Sequence, residues 1–95
     1  MTASNQNRLV VDRSVSWQIL DGDAVIVSPK TGKIRVLNQV GTFIWQMLVQ
    51  DHTATEIQDA LVSNYAITPE RAAHDLQAFI TDLSQRNLIS WESSS

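Results

Sequence analysis

Few side chains in this chain are of a type that does chemistry. They are two histidines, His52 and His74, and a set of charged groups in the last third, Glu70, Arg71, Asp75, Asp82 and Arg86. The histidines fall in different elements and no third ligand converges on either in sequence, which argues against a metal site. His74 lies four residues after Glu70, opposite an apolar stripe, and reads as solvent-facing. The chain has no cysteine, which removes disulfides, thiolate nucleophiles and cysteine-ligated zinc or iron–sulfur centres. It shows no Gly-rich phosphate loop, no nucleophile motif and no carboxylate pair at a spacing that implies acid–base work. The expectation is a protein that is not an enzyme, with no catalytic residue, no metal and no cofactor. What remains is the chemistry of the backbone. Ile34-Arg35-Val36-Leu37 reads as a strand without proline, so its N–H donors are intact. If it lies at the margin of a sheet, it can pair with a foreign extended segment.

Composition narrows the partners. The 95 residues suffice for one domain, and 43% apolar content is normal for a globular fold. The formal net charge is −3, with acidic and basic residues interspersed. A phosphate-binding surface normally carries a basic stripe, which is absent, so nucleic acid is not expected as a partner. No basic amphipathic helix points to a membrane surface. The apolar runs are too short to span a bilayer, and the N-terminus lacks a signal-peptide apolar region. Together with the missing cysteines this fits a cytoplasmic location.

Three strands and three helices must position the candidate edge. Val15, Trp17 and Ile19 alternate with Ser16, Gln18 and Leu20, the period of a strand with one buried face. Asp21-Gly22-Asp23 is a tight turn, since Gly22 takes positive φ at no steric cost. Ala24 to Ser28 is the partner strand, Pro29-Lys30-Thr31-Gly32 turns again, and Ile34 to Leu37 completes an antiparallel meander. Asn38 then caps a helix carrying Val40, Ile44, Met47 and Leu48. Thr53-Ala54-Thr55-Glu56 matches a capping box and opens a second helix with Ile57, Ala60, Leu61 and Tyr65 on its apolar stripe. Thr68-Pro69-Glu70 opens a third, whose stripe is Ala72, Leu76, Phe79, Ile80 and Leu83. Asn87 is a left-handed stop, after which Leu88 and Ile89 fold back onto the core. The expected fold is α+β and winged-helix-like, a three-stranded antiparallel sheet followed by three helices (βββααα). A flexible N-terminal tail is expected over residues 1–13, the domain over 14–91 and a C-terminal tail over 92–95.

The order Ser28-Pro29-Lys30-Thr31-Gly32, Leu37-Asn38, Gly41, Ile44-Trp45 and Leu48 resembles the PqqD-like proteins. The later Thr53, Glu56-Ile57, Leu61, Tyr65, Asp75-Leu76, Phe79-Ile80, Leu83 and Leu88-Ile89 is similar to the same family, so the likeness covers roughly residues 17–89. The chain departs from the family pattern at Asp51-His52, where Asp-Gly is common, and at Arg35-Val36, where many relatives place an aromatic before Leu-Asn. The resemblance implies a precursor-peptide recognition element of natural-product biosynthesis. Such a domain is a non-catalytic chaperone that binds the leader segment of a ribosomally made peptide. It presents that peptide to a modifying enzyme, such as a radical S-adenosylmethionine protein or a leader peptidase. Pyrroloquinoline-quinone biosynthesis and lasso-peptide maturation both use such domains. In the family the leader adds as an extra strand beside the third strand, facing the third helix.

Applied to this chain, the peptide-binding candidates are Ile34, Arg35, Val36 and Leu37 on the strand, with Arg71, Asp75, Phe79 and Asp82 on one flank of the last helix. Ile34, Val36 and Leu37 read equally well as sheet core, Phe79 as part of the helical core, Asp75 as a complement to the helix dipole, and Arg35 as a solvated strand residue or a guide for acidic leader groups. Two other functions stay open: an adaptor that docks to a larger enzyme without binding peptide, and a winged-helix DNA-binding protein. An exposed strand edge also allows exchange between two copies, a homodimer.

Overall fold

The structure, a computed structural model, describes residues 7–93. Strands β1 (Asn7–Val11), β2 (Ser16–Leu20), β3 (Asp23–Val27) and β4 (Ile34–Val36) precede helices α1 (Gln39–Val49), α2 (Ala54–Tyr65) and α3 (Pro69–Gln85). Strand β5 (Ile89–Ser93) follows α3. The three-strand, three-helix order read from the sequence is present, with an added pair of terminal strands. Strands β2, β3 and β4 form one antiparallel sheet in that spatial order, and β1 pairs with β5 in a second.

Local chemistry explains most boundaries. Leu20 pairs with Asp23, and the two residues between them, Asp21 (φ 54°) and Gly22 (φ 86°), both take positive φ. That is the requirement of a two-residue turn whose twist matches its flanking strands. The next turn is closed by Ser28 N–H donating to the Lys33 carbonyl at 3.0 Å, with Gly32 at φ 71°. Asn38 caps α1 by accepting from Gly41 N–H at 2.8 Å. Thr53 and Glu56 cap α2 reciprocally, at 3.1 and 2.8 Å. Thr68 accepts from Arg71 N–H at 3.1 Å, with Pro69 in the first turn of α3. Asn87 ends α3 at φ 62°.

One buried contact fixes where the sheet meets α1. Leu37 N–H donates to the Ala24 carbonyl at 2.9 Å, but Ala24 N–H donates to the Thr42 hydroxyl at 2.8 Å. Thr42 is the one buried polar residue among the described residues, and its hydroxyl in turn sits 3.5 Å from the Leu37 carbonyl. The side chain thus intervenes in the last rung between β3 and the end of β4, tying helix to sheet. Beneath lies the core, with Ile26, Ile44, Trp45, Leu48, Ile57, Leu61 and Leu83 fully buried. Trp17 packs edge-on against Trp45, with ring centres 6.1 Å apart.

Three expectations are corrected. The flexible tail placed over 1–13 contains β1, whose Leu9 and Val11 are buried. Their period of two points both into the core, and the partner strand lies at the opposite end of the chain. The C-terminal tail placed over 92–95 begins inside β5, which extends to Ser93; residues 1–6 and 94–95 lie outside the described residues. The buried face expected for β2 is only half covered, since β2 is the other edge of the sheet and Trp17 and Ile19 remain partly exposed. At the Asp51 departure from the family pattern, Asp51 itself adopts φ 67° after α1.

Candidate functional site

Among the described residues strand β4 has a neighbour on one side only, β3. Its pairing is Val25 with Val36, Ile26 with Arg35 and Val27 with Ile34. The bonds Leu37 N–H to Ala24 and Ser28 N–H to Lys33 flank this ladder and set its phase. Hydrogen-bonded and non-hydrogen-bonded pairs alternate along antiparallel strands. Lys33, Arg35 and Leu37 therefore turn their backbone groups toward β3, while Ile34 and Val36 turn theirs outward. The side chains alternate too. Arg35 and Leu37 lie on the inner face with buried Ala24 and Ile26, whereas Ile34 (64% exposed) and Val36 (54%) lie on the outer face. The sheet-core reading is thus right for Leu37, which is buried, and wrong for Ile34 and Val36.

The open edge faces a cleft of about 490 Å³ between β4 and α3. Its walls include seven of the eight residues read from the sequence: Arg35, Val36 and Leu37 from the strand, Arg71, Asp75, Phe79 and Asp82 from the helix. Ile34 lines an adjoining cavity of about 280 Å³ instead. Sequence reasoning missed Asn38, Val40, Gly41 and Ile44, which line the cleft from the start of α1, and His74 and Ala78 on α3. The helical signal was there: residues 71, 74, 75, 78, 79 and 82 form one continuous stripe at three- and four-residue steps. His74 is exposed, as expected, but on the rim of the cleft. Gly41 leaves room for the Asn38 cap, while Phe79 of α3 lies at ordinary contact distance from it. A Cβ on it would stand 3.2 Å from the Asn38 capping oxygen and 3.5 Å from the Phe79 ring.

Charges are ordered along the cleft. Arg71 pairs with Asp75 at one end, at 3.1 Å. At the other end Arg35 reaches from strand to helix and donates to Asp82 through Nε at 3.1 Å and Nη2 at 2.7 Å. Arg86 donates to the other Asp82 oxygen at 3.1 Å. Partial burial works against ionisation of Asp82, but hydrogen bonds from Arg35 and Arg86 and their positive charges outweigh it and hold its carboxyl below the usual range. Arg35 is thus half-buried and bridging, not a freely solvated strand residue. Among the described residues no group of three metal-ligating side chains converges, and no helix is long and apolar enough to cross a membrane.

The family model described as coenzyme PQQ synthesis protein D (PqqD) matches residues 23–89. The chain belongs to the PqqD family. The matched span runs from β3 to the start of β5 and so contains both walls of the cleft. This PqqD-family chain is also similar to TbiB1, solved in complex with the TbiA(beta) leader peptide. The TM-score is 0.82 at 26% identity, covering 85% of this chain and 94% of that one. Lasso peptide synthetase B1, solved in complex with its leader peptide, has the same fold, with a TM-score of 0.80 at 22% identity over 87% of this chain and 98% of that one. A search of curated proteins finds no match.

Proposed function

We propose that this chain binds the leader segment of a ribosomally made precursor peptide as an added strand on β4 and presents it to a modifying enzyme, with no catalytic role of its own. The observation that carries this reading is the outward phase of β4 beside an open cleft. Ile34 and Val36 each offer one N–H and one C=O to a guest strand. Four such bonds contribute roughly 1 kcal/mol net each, independent of guest sequence. Selection then falls to the guest's side chains. Those opposite Leu37 point into the cleft toward Val40, Ile44 and Phe79, and those on the alternate face meet Ile34 and Val36. The two similar structures, each a complex with a leader peptide, support the same use of the fold.

The test is a titration of 15N-labelled protein with synthetic leader peptides, beginning with the TbiA(beta) leader that the similar TbiB1 binds. The amides of Ile34 and Val36 should shift and gain protection from hydrogen exchange, while those of Arg35 and Leu37, already bonded to β3, should change less. Saturable binding that leaves the β4 and α3 signals in place would sink the proposal.

A further inference from the structure

Past Arg35 the trough between strand and helix continues into the second cavity, of about 280 Å³, between the β3–β4 turn and the end of α3. Its character changes there. Three of the chain's seven basic residues, Lys33, Arg35 and Arg86, wall it, and no carboxylate is among its lining residues. Ser28, Thr31, Gln85 and Asn87 supply further polar groups. Arg35 and Arg86 share the single carboxylate of Asp82, on opposite oxygens, so the trio keeps a net positive charge. Lys33 has no ionic partner for its ammonium among the described residues. A concentration of cations in a protein of net charge −3 is a local preference for an anion.

Strand phase says which anion reaches it. Lys33, Arg35 and Leu37 alternate onto the inner face, so guest residues opposite them also point inward. The residue opposite Leu37 enters the cleft beside Val40, Ile44 and Phe79, and those opposite Arg35 and Lys33, two and four positions along, arrive at the cationic cavity. We propose that the cavity walled by Lys33, Arg35 and Arg86 is a specificity subsite for an acidic side chain of the bound peptide, two or four residues from the apolar side chain that packs against Phe79 and Ile44. This rests on the peptide-binding reading above. The carboxylate would accept charge-assisted hydrogen bonds from groups that Asp82 leaves incompletely neutralised.

The experiment is selection of a phage-displayed library of random 15-residue peptides on the wild-type protein, on Lys33→Gln and on Lys33→Gln/Arg86→Gln, with a thermal melt of each. The single variant guards the test, because Lys33 is exposed and its loss leaves the Asp82 pairs intact. Wild-type protein should enrich peptides with Asp or Glu at the stated spacing from an apolar residue. Changing that acid to its amide should weaken binding by about tenfold in the wild type, and by less in both variants. Enriched peptides with apolar alternation but no acidic preference would overturn the subsite and leave peptide binding standing. So would an acidic preference that both variants keep. No enriched peptide on any of the three proteins would overturn the peptide-binding reading and the subsite with it.

Discussion

A proline placed at successive positions of β4 separates the edge that builds the sheet from the edge proposed to receive a guest. Val36 N–H points outward, so Val36→Pro removes a donor that the fold does not use. Its side chain is already more than half exposed and its neighbour Arg35 is in a strand, the conformation that a following proline favours. Stability should change by less than about 1 kcal/mol, whereas peptide binding loses one edge hydrogen bond, roughly fivefold in affinity. Arg35→Pro acts on the other edge. Arg35 is in the hydrogen-bonded pair with Ile26, so proline leaves the buried Ile26 carbonyl without its partner, at about 1–3 kcal/mol. It also removes the half-exposed pair with Asp82, worth up to about 1 kcal/mol. The melting temperature should fall by roughly 10–20 °C for Arg35→Pro and by only a few degrees for Val36→Pro. Fluorescence anisotropy with a display-selected peptide, paired with thermal melts, reads both effects. A Val36→Pro protein that binds with unchanged affinity, or one that melts as early as Arg35→Pro, would refute the assigned phase.

Thr42→Val should cost about 1–3 kcal/mol by leaving Ala24 N–H buried and unbonded, while Thr42→Ser keeps most of the stability; urea unfolding of the two variants checks this. Ala66, which caps α2 at φ 52°, should be stabilising when changed to glycine, by about 0.5–1 kcal/mol and seen as a higher melting temperature. Because the Asp82 carboxyl is held below its usual range, its contribution is present above the unfolded carboxylate pKa of about 4 and is lost as pH falls through the lower folded value. Melts from pH 6 down to pH 2.5 should therefore show a wild-type loss that Asp82→Asn partly lacks. Arg35→Leu should self-associate at concentrations where the wild type stays monomeric, as read by sedimentation velocity.

Features that act over three or four residues were legible in the sequence. The caps at Asn38, Thr53 with Glu56, and Thr68 with Pro69 each close a bond inside one turn, so the residue type and its spacing carry the whole signal. The stripe of α3 was legible for the same reason. The pairing of β1 with β5 was not, because Leu9 and Val11 make too short an apolar run to distinguish a strand from a tail without the partner that faces them from residues 89–91. The Arg35–Asp82 bridge spans 47 positions and depends on how β4 and α3 are packed, which neither segment records alone. Thr42 carries no local signal either, since nothing within a helical turn of it shows that its hydroxyl takes the place of a strand partner.

The same arginine accounts for how an unpaired strand is tolerated. Two copies joined through β4 by a twofold axis satisfy all the outward groups only when Ile34 of each pairs with Val36 of the other. That register sets Arg35 directly opposite its counterpart, in a non-hydrogen-bonded pair with Cα atoms about 4.5 Å apart, where like charges are destabilising. Sliding the register by two residues sets Arg35 opposite either Lys33, again a like charge, or Leu37, and both slides move outward groups past the ends of a strand only three residues long. An inward charge on a short edge thus opposes pairing between identical copies. It does not oppose a guest, because a peptide with an acid at the matching inward position turns that repulsion into attraction. On the proposed peptide-binding reading, self-avoidance and selection are two consequences of one side chain, which Asp82 holds across the cleft toward α3.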